Sequence, residues 1–66
     1  MQLKTFTSTE AVIVISRDEL VFLESAVNET LEAVPENEFR GRTGETCEQA
    51  LTVWQQLNGI LNKIEG

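Results

Sequence analysis

The segment from Ile15 to Leu20 constrains the fold most, because it carries the signals that begin a helix. Ser16 precedes Glu19 by three residues, which is the spacing of a capping box: each side chain accepts a hydrogen bond from the backbone N–H of the other residue. Ile15 and Leu20 flank this box and are spaced to pack as a hydrophobic staple. We therefore predict that the first helix begins at Arg17.

Apolar residues then recur at intervals of three and four, as they do on one face of a helix. Pro35 disfavours helical geometry at the preceding residue, so this helix is predicted over 17–33. Thr46 and Gln49 form a second capping box, and a second apolar stripe follows it, which predicts a helix over 47–64. The two stripes are Leu20, Leu23, Val27, Leu31 and Val34, and Ala50, Trp54, Leu57, Leu61 and Ile64.

The first fifteen residues favour two β-strands. Residues 2–7 alternate in polarity and are rich in threonine, and 11–15 is a β-branched run of strand length. The predicted fold class is therefore α+β: an N-terminal two-stranded β-hairpin packed on an antiparallel two-helix hairpin (ββαα), with 35–45 as an irregular connection. The apolar residues on both faces of the second strand must be covered by the helices or by another copy.

At 66 residues the chain is one small domain, 1–66, of a size that usually needs a disulfide, a metal or a partner subunit for stability. One cysteine and no histidine leave no internal disulfide, and we predict no metal site and no cofactor. Self-association remains, so we expect a homodimer. Whether the strands pair within one chain or between two is open.

Positions 18–38 contain seven acidic residues and no basic residue, and this segment accounts for the formal net charge of −6. Nucleic-acid binding needs a basic surface, so no nucleic-acid contact is expected, whereas a basic protein partner fits the charge. The longest apolar run, 11–15, is too short to span a membrane. A lone thiol and the lack of an apolar signal segment at the start favour the cytoplasm.

Two groups of residues are candidates for binding. The acidic face of the first helix is either a solvated surface or a docking surface for a basic partner, and comprises Glu24, Asn28, Glu29 and Glu32. The 38–44 segment is either an anion clamp with two arginine donors or a structural loop in which the aromatic ring closes the end of the helical hairpin. Its candidates are Glu38, Phe39, Arg40, Arg42 and Gly44.

The chain resembles a group of very short bacterial proteins of unassigned function. The resemblance rests on Asn28-Glu29 near the end of one helix and on a Glu-Phe-x-x-Arg-x-Gly loop, here Glu38 to Gly44. It implies a bacterial source and a contact of Arg42 with Glu29 or Glu38, but no activity.

The absence of histidine and a body too small for a pocket of ordinary volume argue against an enzyme. We expect a small acidic protein–protein interaction module. One alternative is a small-anion sensor or regulatory subunit that uses the 38–44 loop, and another is an immunity- or antitoxin-like protein that neutralises a basic partner.

Overall fold

The computed structural model describes residues 1–65. It contains two strands, β1 (Gln2–Phe6) and β2 (Ala11–Val14), and three helices, α1 (Arg17–Ala33), α2 (Glu36–Thr43) and α3 (Cys47–Glu65). The strands pair antiparallel. The predicted fold class, α+β with an N-terminal β-hairpin followed by helices, is confirmed.

Both predicted capping boxes are present. The backbone N–H of Glu19 donates to Ser16 Oγ at 3.1 Å, and the N–H of Ser16 donates to Glu19 Oε1 at 3.0 Å. At α3 the N–H of Gln49 donates to Thr46 Oγ1 and the N–H of Thr46 donates to Gln49 Oε1, both at 3.2 Å. Because these reciprocal bonds satisfy N–H groups that have no partner within the helix, they place the start of each long helix.

The core lies between α1 and α3. Leu20 and Leu61 are buried there, and Arg17 at the start of α1 pairs with Glu65 at the end of α3. The helices therefore run antiparallel, as predicted. Phe39 of α2 is also buried, with 2% of its surface exposed, and these three are the only buried hydrophobic residues in the described part of the chain.

The turn of the hairpin is built by a threonine side chain. Thr7 Oγ1 accepts hydrogen bonds from the backbone N–H groups of Thr9 and Glu10 at 3.2 and 3.0 Å, and the N–H of Thr7 donates to the carbonyl of Glu10 at 2.8 Å. A hydroxyl that bonds the backbone in this way replaces the Asn-Gly pair found in many tight turns.

The expectation that the hairpin packs on the helices is not met. Every residue of β1 and β2 is exposed, and neither strand lies against a helix. The hairpin is attached at its base, where the N-terminal ammonium of Met1 contacts Glu19 in the first turn of α1, and only two residues separate β2 from that helix. This connection holds the base of the hairpin at the end of the helical pair and leaves both faces of the strands open.

The segment predicted as an irregular connection, 35–45, instead contains the helix α2. Pro35 precedes its first residue, and Gly44 ends it in the left-handed conformation with φ 86°. Acidic residues occupy its first turn and basic residues its last turn, an order that is favourable to the helix dipole. A single buried side chain, Phe39, anchors this short helix.

Candidate functional site

An apolar groove of about 630 Å³ lies between the three helices. Its lining includes Leu23 and Val27 from α1, Phe39 from α2, and Ala50 and Val53 from α3. The volume falls within the range of small-molecule sites, roughly 300–1,000 Å³. The expectation that the body is too small for a pocket of ordinary volume is therefore wrong; residues of all three helices together line an open groove.

The hydroxyl groups along this groove bond to their own helices. Thr30, Thr43 and Thr52 each donate to the backbone carbonyl four residues earlier, at 2.8, 2.8 and 3.0 Å. This pattern is common for threonine in helices, and it directs the hydroxyl hydrogens away from the groove. The groove is therefore mainly an apolar surface rather than a constellation of acid and base groups.

A second, smaller recess of about 470 Å³ lies against α1 and α3. Its apolar lining comes from Leu31, Leu51 and Trp54, and Glu36 and Glu48, which are both exposed, also line it. Asn28 and Cys47 also line it. We call this surface the acidic recess.

The sequence-predicted acidic residues do not share one role. Glu24 is partly buried, and its Oε1 accepts a hydrogen bond of 2.7 Å from the indole Nε1–H of Trp54 on α3. Asn28 lines the acidic recess, and Glu32 is exposed one helical turn beyond it. Glu29 is exposed and lies outside the recess lining. The structure thus separates a carboxylate that ties two helices together from those that face solvent.

The residues of the proposed anion clamp lie on α2 rather than in a loop. Arg40 and Arg42 are two positions apart on a helix, a spacing at which side chains do not face each other. Both are exposed, and neither forms an ion pair within residues 1–65. The expected bond from Arg42 to Glu29 or Glu38 is therefore not formed. Helical geometry directs the two guanidinium groups apart.

The remaining members of that segment have structural positions. Phe39 is buried and lines the groove. Gly44 supplies the positive φ at the end of α2, and its N–H donates to the carbonyl of Arg40 at 2.8 Å. Glu38 is exposed in the first turn of α2.

The carboxyl group of Glu19 has a lowered pKa. Its oxygens accept hydrogen bonds from the N-terminal ammonium of Met1 at 2.9 and 2.8 Å. This ammonium, followed by the backbone N–H and then the hydroxyl of Ser16, lowers the pKa of Glu19 from 4.5 to about 2. The shifted group belongs to the attachment of the hairpin rather than to either cavity.

Within residues 1–65, no three cysteine, aspartate or glutamate side chains come together as metal ligands would. In the same part of the chain, no helix has the length and apolar character needed to cross a membrane. Comparison with protein-family models, curated proteins and solved structures gives no match. The resemblance to short bacterial proteins stays a prediction.

Two features of the site were not anticipated from the sequence. The pairing of Glu24 with Trp54 joins residues 30 positions apart, and no local pattern indicates it. The acidic recess includes Glu36 and Glu48, which were not among the candidates. A signal for α2 did exist: a proline before it, a glycine after it, and acidic residues ahead of basic ones.

Proposed function

We propose that this chain is a protein–protein interaction module without enzymatic activity, and that it binds a basic partner through the acidic recess. The observation that carries the proposal is a recess lined both by apolar side chains and by two exposed glutamates. A lysine or arginine side chain buries its aliphatic stem on apolar surface while its charged head stays at the polar margin. Leu31 and Trp54 offer that surface, and Glu36 and Glu48 offer the opposite charge.

The net charge of −6 supports the same partner at longer range. An excess of one charge raises the rate of encounter with molecules of the opposite charge. Within the described residues, the carboxylates of Glu32, Glu36 and Glu48 are not engaged in ion pairs. They can pair with a partner without first breaking an internal contact.

The support for a non-enzymatic role is the chemistry of the two cavities. The larger groove is apolar, and its threonine hydroxyls bond to backbone carbonyls. The smaller recess is lined by two glutamates and by Cys47, and the chain has no histidine. We place the protein in the bacterial cytoplasm, where a lone thiol stays reduced. Neutralisation of a basic partner by an immunity- or antitoxin-like protein is one form of this function.

The test is binding to a lysine- and arginine-rich amphipathic helical peptide, followed by fluorescence anisotropy. The variant Glu32→Gln, Glu36→Gln, Glu48→Gln removes two charges that line the recess and a third one helical turn beyond it. We expect its Kd to rise on the order of tenfold, because three exposed ion pairs contribute roughly 0.2–1 kcal/mol each. Added salt should weaken binding of the wild-type protein and have less effect on this variant.

A matched control carries the same charge change elsewhere: Glu10→Gln, Glu29→Gln, Glu45→Gln. Both triple variants have a net charge of −3 instead of −6, and all three control positions are exposed. The control should keep most of the affinity. Equal losses in the two variants would show that total charge, not the recess, attracts the peptide, and no binding by the wild type would contradict the proposal.

A further inference from the structure

The paired residues on one side of the hairpin are all apolar, and Lys4 lies at the register shift between Leu3 and Thr5 without a paired residue. The register pairs Leu3 with Ile13 and Phe6 with Ala11, and directly paired residues of antiparallel strands project to the same side. The opposite side carries the pairs Gln2–Val14 and Thr5–Val12 and is mixed in polarity. Leu3, Phe6, Ala11 and Ile13 therefore form what we call the apolar hairpin face.

No part of residues 1–65 covers this face. Phe6 is 73% exposed, Leu3 56% and Ile13 43%, and neither strand contacts a helix. An isolated two-stranded hairpin is marginally stable in water and needs packing against another layer. The described chain supplies no such layer, because the apolar stripes of α1 and α3 face each other.

The dimensions of the chain also indicate that it buries too little surface by itself. Its radius of gyration is 13.2 Å, whereas a compact chain of this length has a value of about 10.8 Å. Its accessible surface is 5300 Å², against about 4200 Å² for a compact protein of this mass. The excess of about 1100 Å² is comparable to the roughly 800 Å² that each partner buries in an interface of standard size.

Charge favours a second copy as the occupant of this face. The segment 2–14 contains only Lys4 and Glu10 as charged residues, so its net charge is zero, while the rest of the chain carries −6. Two copies repel each other through their acidic helices, and a neutral apolar surface is where they can meet with least repulsion. An uncharged face also offers nothing specific to the basic partner proposed for the recess.

We propose that two copies of this chain associate through the apolar hairpin face. The same surface from each copy meets in an isologous contact, as in most homodimers, and the hairpins supply each other's missing layer. Pairing along the free edge of β2 alone would leave Phe6 and Ile13 in water, so the face forms the interface. This surface is distinct from the acidic recess.

The experiment is sedimentation equilibrium of the full chain over about a hundredfold range of concentration. The wild type should approach twice its mass of 7.4 kDa. Phe6→Lys places a charge on the apolar face and should raise the dissociation constant at least about tenfold. Thr5→Lys adds the same charge at the neighbouring residue on the opposite side of the strand, and should associate like the wild type.

A second pair of variants, Ile13→Thr and Val12→Thr, keeps a β-branched residue in the strand and decides the question if either lysine variant fails to fold. Ile13→Thr should weaken the dimer and Val12→Thr should not. A wild type that stays at 7.4 kDa throughout, or equal effects from the two sides of the hairpin, would overturn the proposal. Phe6→Lys should still bind the basic peptide. A result that contradicts the dimer proposal can therefore be told apart from one that contradicts peptide binding at the recess.

Discussion

Replacement of Phe39 by alanine tests whether α2 is held by one buried ring. Phe39 is 2% exposed, whereas Phe22 on α1 is 71% exposed. Truncation of a buried phenylalanine to alanine costs about 3–5 kcal/mol. A chain of this size has a free energy of unfolding of about 3–10 kcal/mol, so Phe39→Ala should remove a third of that stability or more, and Phe22→Ala should change it by less than about 0.5 kcal/mol.

Circular dichroism at a single protein concentration measures both effects in thermal and urea unfolding. With about 4–8 °C per kcal/mol for a domain of this length, the Tm of Phe39→Ala should fall by more than about 12 °C, or the chain should be unfolded at room temperature. Phe39→Leu, which retains most of the volume, should lose less than Phe39→Ala. Similar losses from Phe39→Ala and Phe22→Ala would refute the assignment of Phe39 as the anchor of α2.

Three further changes test other contacts. Glu24→Ala leaves the indole N–H of Trp54 without its acceptor and should lower the free energy of unfolding by about 1–3 kcal/mol, while Glu24→Gln, which keeps an oxygen, should lose less in the same urea titration. The pKa of Glu19 is lowered from 4.5 to about 2, so the contribution of its carboxylate to folding stability is present above pH 4.5 and is lost as the pH falls from 4.5 towards 2. Glu19→Gln should therefore flatten the dependence of Tm on pH in that window. Gly44→Ala places a side chain on a residue with φ 86° and should lower the free energy of unfolding by about 1–2 kcal/mol. Gly41→Ala lies in the interior of α2, where a Cβ meets no atom within 4 Å, and should raise the free energy of unfolding by about 0.5–1 kcal/mol.

The elements with strong local signals could be predicted from the sequence. Capping boxes at Ser16 and Thr46 and apolar stripes of helical period placed α1 and α3, because these signals act within a few residues. The strands were placed within one residue of their ends. A β-branched run indicates a strand whether or not that strand later finds cover.

The apolar periodicity that predicted α1 and α3 predicted neither α2 nor the position of the hairpin. Residues 36–43 contain one apolar side chain and an internal glycine, so they lack the periodicity that indicates a helix, and burial of Phe39 decides their conformation. Whether the hairpin lies on the helices depends on long-range contacts, which the local patterns of residues 2–15 do not specify. Long-range pairs such as Glu24 and Trp54 follow from the packing of α1 against α3 and have no local signature.

Amide hydrogen exchange of residues 11–14, followed as the protein concentration is raised, tests most directly whether the hairpin depends on a second copy. If the apolar hairpin face is covered by its counterpart, the amides of β2 that bond to β1 should become slower to exchange as the dimer fills, while those of α1 and α3 should change less. Exchange of β2 that stays the same over the concentration range in which the molar mass rises from monomer to dimer, or fast exchange at every concentration, would contradict this role of the hairpin face.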